Sequence, residues 1–185
     1  MKTKTGFSLI EIMVAIAIIA VMAAVVVPNF QRQRVSQQRT MFFDRLNALT
    51  QLGLQQAIKT GNVHRISFFF NTRRVELFVA TNKLDDEGKP GFERVRRYQL
   101  ASAITWPETM VIRNFFIEGF DEMKRSMTEL TQETWFYIMP EGITQSVIIN
   151  VSDAGDRKNE HKKEIGLVLN PFSGTFKEYD TFQTP

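Results

Sequence analysis

The chain has 185 residues and no cysteine, which is enough for one globular body with its own core and excludes disulfide stapling and thiolate metal sites. The formal charge of +3 does not mark a basic protein: setting aside Lys2 and Lys4 leaves 21 basic against 20 acidic residues. The remainder is close to neutral, which argues against a protein organised around nucleic acid.

Met1 to Gly6 is a short basic leader, and from Phe7 the chain turns apolar, with no polar side chain between residues 12 and 27. As a helix, Phe7 to Val27 spans roughly 30 Å, the thickness of a bilayer's hydrocarbon core. Three readings compete. A cleaved secretory signal has a shorter apolar core and a small-residue site after it. Ala20, Ala23 and Ala24 are small, but the run passes them and enters a helical pattern. A plain membrane anchor gives no reason to keep Glu11, because an ionised carboxylate there costs about 3 kcal/mol on insertion scales. The third reading cuts the chain ahead of the run, at Gly6–Phe7, and retains the helix. Glu11 then lies about 6 Å along the helix from the new amine on Phe7. Its partner is that amine or the amine of a neighbouring subunit, shifted by one step in a helical stack. Glu11 decides for the third reading.

Gly6-Phe7-Ser8-Leu9-Ile10-Glu11, the apolar run and Pro28 resemble the class III signal of type IV pilins and type II secretion pseudopilins. The resemblance implies that a prepilin peptidase cuts between Gly6 and Phe7, that Phe7 is then N-methylated, and that Glu11 pairs with a neighbouring amine during assembly. It also implies a cytoplasmic leader (1–6), a single pass through the cell inner membrane to about residue 27, and a C-terminal domain in the periplasm. Charge alone does not orient the segment, since Lys2 and Lys4 lie on one side and Arg32, Arg34 and Arg39 on the other.

Gln31 to Arg39 is polar without a helix breaker, and its arginines read as a solvated or headgroup-level face. Phe42, Leu46, Leu49 and Gly53, with Leu52 and Ala57 beside them, recur at three- and four-residue spacing and mark one apolar helical face. Gly61 is a stop signal. The expectation is one long helix over 7–61, membrane-spanning in its first half and docked on a globular domain in its second. Pro28 kinks it or permits local unwinding.

Residues 62–185 read as β-rich. Val63–Phe70 and Val75–Val79 flank Asn71–Arg74 as a hairpin, and a charged loop covers 83–91. Strands are expected at Glu93–Leu100, Met110–Ile117, Thr134–Met139, Ser146–Val151, Ile165–Leu169 and Thr175–Tyr179, with a polar loop over Ser152–Glu164. Asn170-Pro-Phe-Ser-Gly174 is a turn, and Phe120–Leu130 is a short surface helix or a long loop. About seven strands suffice for two antiparallel sheets with the helix across one of them. The fold class expected is therefore α+β, pilin-like: a long N-terminal helix packed on an antiparallel β-rich domain of two sheets. Leu49–Ala57 running into a hairpin, Phe136–Ile143 and the closing Gly166–Phe176 segment resemble the GspH/FimT branch of the pilin-like proteins. The insert at 119–132 departs from that pattern.

No catalytic constellation is present. His64 and His161 are far apart in sequence, no phosphate-binding glycine loop appears, and Asp85-Asp86-Glu87 reads as a solvated turn, so no enzyme, cofactor or metal is expected. The resemblance points to a minor pseudopilin of a type II secretion system, a structural subunit of the periplasmic pseudopilus that helps export folded proteins. Its partners would be prepilin peptidase, other major and minor pseudopilins, and the inner membrane. The alternative is a minor type IV pilus or competence pilin that binds DNA, with Arg73, Arg74, Arg94, Arg96 and Arg97 as the basic patch. A plain membrane-anchored domain, uncut at its N-terminus, is the third possibility.

Overall fold

The computed structural model of the protein describes residues 9–84, 88, 90–96, 103–125, 133–154 and 162–185, with 24–36, 82, 84, 90 and 125 described by their backbone alone. The chain divides into two compact units, Met1–Gln37 and Gln38–Pro185. In the first unit the described residues belong to a helix, α1 (Leu9–Thr60), which is continuous through Pro28. Local unwinding, one of the two outcomes expected there, is not adopted. Proline removes a single i→i−4 hydrogen bond, and the ladder on either side keeps the turn helical.

In the second unit the remainder of α1 buries the face read from the sequence: Phe42, Leu46, Leu49, Gly53 and Ala57 are buried, with Leu52 partly so. The helix ends where Gly61 adopts a left-handed conformation, φ 66°, and its N–H donates to the Ala57 carbonyl at 2.9 Å. That is a glycine C-cap. At Gly53 the helix comes so close to the sheet that a Cβ would lie 2.6 Å from Ile138 Cδ1 and 2.9 Å from Leu77 Cδ1.

The strands form two antiparallel sheets. The first has the order β3 (Pro90–Arg94), β2 (Arg74–Leu84), β1 (His64–Phe69), β7 (Glu133–Met139), β8 (Ile143–Thr144), with β4 (Ala103–Thr105) also pairing with β2. The second has the order β11 (Thr175–Tyr179), β10 (Lys163–Asn170), β9 (Val147–Asp153), β5 (Met110–Ile117), β6 (Phe120–Asp121). A short helix, α2 (Glu122–Arg125), follows β6. The sheets meet through aromatic rings: Phe68 of β1 packs edge-on to Phe115 of β5 at 4.9 Å, and Phe136 of β7 meets Phe176 of β11 at 6.3 Å. The α+β class, with an N-terminal helix followed by two antiparallel sheets, is as expected.

Several details differ from the sequence reading. The described residues hold eleven strands, not about seven, because β4, β6 and β8 are two or three residues long and too short to show periodicity. The third strand begins at Pro90 and ends at Arg94, earlier than the expected Glu93–Leu100, of which residues 97–100 lie outside the described residues. A proline is admissible as the first residue of an edge strand, where its missing N–H costs no ladder bond. Ser152 and Asp153 belong to β9 and are buried, and Lys163 and Glu164 open β10, so the expected polar loop is shorter than drawn. Arg39 is not on a solvated face, since its guanidinium lies 3.6 Å from the buried Asp153 carboxylate. Of the Phe120–Leu130 stretch, both a strand pair and a short helix form, and its remainder lies outside the described residues.

Candidate functional site

The sequence singles out the front of the helix. Gly6 and Phe7 lie outside the described residues. Glu11 stands in the first turn of α1 and is exposed. It is surrounded in sequence by side chains that are also exposed, from Leu9 and Ile10 to Val21 and Met22. An apolar helix face this extensive loses free energy in water and gains it against lipid or neighbouring helices. Within residues 9–27 Glu11 is the sole ionisable side chain, so the environment that accepts the helix must also supply its counter-charge. Among the described residues no helix is long and apolar enough to cross a membrane. The described side chains of the run stop at Ala23, while the apolar sequence continues to Val27.

Of the five arginines named as a basic patch, Arg73 and Arg74 stand where β2 begins and Arg94 ends β3. Arg73 closes the β1–β2 turn with a positive φ of 52° and its guanidinium pairs with Glu108. Arg74 and Arg94 share one carboxylate, Glu76, at 2.6 and 3.4 Å, and Glu76 is buried between them. Arg96 is exposed, and Arg97 lies outside the described residues. The structure thus brings Arg74 and Arg94 together, but around an acid. With one carboxylate between two guanidiniums, the trio keeps a single net positive charge, so these side chains have less to offer a phosphate backbone than two free arginines.

On the same outward face, and unnoticed in the sequence, Arg65 of β1 lies over three rings: Phe78 at 5.2 Å, Phe92 at 4.5 Å and Trp135 at 4.9 Å. Glu133 is 3.6 Å away. Strand alternation places these residues together, since Arg65 pairs with Phe78 across β1–β2 and Ser67 with Trp135 across β1–β7. Arg65 Nε, Ser67 Oγ and Glu133 Oε1 are buried there without a hydrogen-bond partner. A single arginine in a strand gives no warning of such a cluster; only the register does.

Two further features complete the second unit. A cleft of about 350 Å³ opens between Met41, Phe42 and Arg45 of α1 and the Trp106–Glu108 segment. His64, at the start of β1, is buried to 2% exposure and its Nδ1 meets the Asn62 carbonyl at 2.9 Å. Burial lowers its pKa below the usual 6.5, and the bond to Asn62 only partly opposes this. It is a core histidine. Among the described residues no group of three His, Asp or Glu side chains is placed to hold a metal ion; Asp85–Glu87 and His161 lie outside them.

Residues 1–27 match the family model described as the prokaryotic N-terminal methylation motif. No curated protein matches the chain. Among solved structures, the chain is similar to the minor pseudopilin EpsH from the type 2 secretion system of Vibrio cholerae. One such structure has 13% identity, a TM-score of 0.45, and coverage of 78% of this chain and 94% of that one. A second has 14% identity, a TM-score of 0.46, and coverage of 80% and 94%. The front of this chain thus carries a match to a prokaryotic N-terminal methylation motif, and the residues after it form an α+β fold with two antiparallel sheets.

Proposed function

We propose that the protein is a minor pseudopilin of a type II secretion system: a structural subunit, not an enzyme, of a short periplasmic fibre that helps move folded proteins across the outer membrane. The observation that carries this reading is the N-terminal segment, with Gly6-Phe7 at its cut site and Glu11 as the sole charge in an apolar run, matched as a methylation motif over 1–27. Prepilin peptidase removes residues 1–6 and Phe7 is methylated. The helix holds the subunit in the inner membrane until it joins the fibre, where apolar helices pack together and Glu11 meets the amine of a neighbour.

The competing reading, a pilus or competence subunit that grips DNA, requires arginines available to phosphates. Arg73, Arg74 and Arg94 are instead met by Glu108 and Glu76, which favours the structural role. Deleting the gene in its host is expected to leave the secreted folded proteins in the periplasm. Unchanged export, together with salt-sensitive DNA binding by the detergent-solubilised chain, would favour the competing reading.

A further inference from the structure

The outward face of the second sheet holds a feature that secretion or pilus assembly does not explain. Asn150 lies in the middle of β9, inside an apolar run, and is 2% exposed. A buried amide in a strand is unfavourable unless its bonds are made, and here they are made to the backbone of the chain's own tail. Asn150 Nδ2 donates to the Gln183 carbonyl at 2.9 Å, and the Gln183 N–H donates to Asn150 Oδ1 at 2.9 Å. One side-chain amide thereby satisfies both main-chain groups of one tail residue.

The amide is held from behind. Asn150 Nδ2 lies 3.5 Å from Asn114 Oδ1, and Asn114 Nδ2 donates to Asp121 Oδ2 at 2.8 Å. Beside Asn150, across the β9–β10 ladder, stands Gly166. A Cβ at Gly166 would lie 2.6 Å from the Thr181 carbonyl oxygen and 2.6 Å from Gln183 Cγ, so the tail occupies the notch that the glycine leaves. The Gln183 side chain folds back on the tail itself, donating to Thr181 O and Thr181 Oγ1, both at 3.1 Å. Recognition is therefore of the main-chain groups of Gln183. The tail is anchored at its root by Lys163–Asp180, 2.9 Å apart but exposed, a contact that solvent and salt weaken.

We propose that this face is a binding site for a short polypeptide segment, filled in the isolated chain by residues 181–183, and that the same segment of a second copy enters it when copies are crowded together. The occupant is the C-terminal segment because that sequence is the one seated there, through atoms any copy supplies equally. Exchange between copies requires the surface anchor at Asp180 and the two Asn150–Gln183 bonds to open, the incoming tail remakes the same bonds, and close packing raises its effective concentration.

Lys163 Nζ and Asp180 Oδ1, 2.9 Å apart and accessible to solvent, can be joined by a zero-length carbodiimide cross-link in the unaltered full chain. An intramolecular Lys163–Asp180 cross-link is expected at low concentration. In a mixture of isotope-labelled and unlabelled copies, a mixed-isotope Lys163–Asp180 cross-link is expected to increase with protein concentration in detergent. Absence of the mixed product, while the intramolecular one forms, would overturn the exchange. Asn150→Ala in the full chain removes both bonds to Gln183 and is expected to lower the yield of the intramolecular cross-link; a yield equal to the parent's would overturn the site.

Discussion

Glu11 is one carboxylate in an otherwise apolar run, and a neutral side chain would insert more cheaply. Its cost is offset when a cation reaches it, and under the proposed cleavage one source is the amine that would be released at Phe7. Glu11→Ala is therefore expected to insert and to be cut, yet to enter fibres poorly; fibre incorporation at the parent level would remove the pairing argument. Gly6→Val is expected to block cleavage altogether, leaving Met1 in place on electrophoresis and mass analysis. At the other end of the residue scale, His64 works through its burial. Its folded-state pKa is lowered below 6.5, so the unfolded chain binds the proton more readily than the folded one. Stability is then fully present above about pH 6.5 and is lost as pH falls through the folded value. Urea midpoints measured from pH 7.5 down to pH 5 are expected to decline, with a shallower decline in His64→Gln. A His64→Gln profile as steep as the parent's would assign the acid sensitivity elsewhere.

At the scale of the element, the contact between α1 and the first sheet is set by Gly53. Only the flexible ends of Ile138 and Leu77 face the missing Cβ, and alanine gains about 1 kcal/mol of helix propensity over glycine. Gly53→Ala is thus expected to be near neutral. Gly53→Leu overfills the contact and is expected to lower stability by about 2 kcal/mol or more. Equal denaturation midpoints for the two variants would contradict this close packing. The β10–β11 hairpin rests on local chemistry instead. Asn170 Oδ1 accepts from the Phe172 and Ser173 N–H groups at 3.0 and 3.2 Å, and Gly174 takes φ 64°. Both roles are properties of Asn and Gly in turns, which is why this hairpin is readable from five residues while the chain's route between sheets is not.

Across the whole molecule, what the sequence displays is what repeats or is costly. The buried face of α1 is visible because Phe42, Leu46, Leu49, Gly53 and Ala57 recur at helical spacing. The front segment is visible because a long apolar run with a single acid has few physical explanations. The partition of strands is hidden. Only the two-residue β8 separates β7 from β9 in sequence, yet β7 pairs with β1 and β8 while β9 pairs with β5 and β10, and nothing in their composition marks the change of sheet. The pairing of Glu76 with both Arg74 and Arg94, the ring cluster around Arg65 and the Asn150 lock on the tail are equally hidden, because each depends on register and not on spacing along the chain. The central claim rests on the legible part, the basic leader and glycine ahead of an apolar run with one acid. Intact-mass and N-terminal peptide measurement of the chain after co-expression with a prepilin peptidase tests it most directly. The account predicts a mature protein that begins with N-methylated Phe7. A chain that still begins at Met1, or one cut beyond the apolar run, would contradict it.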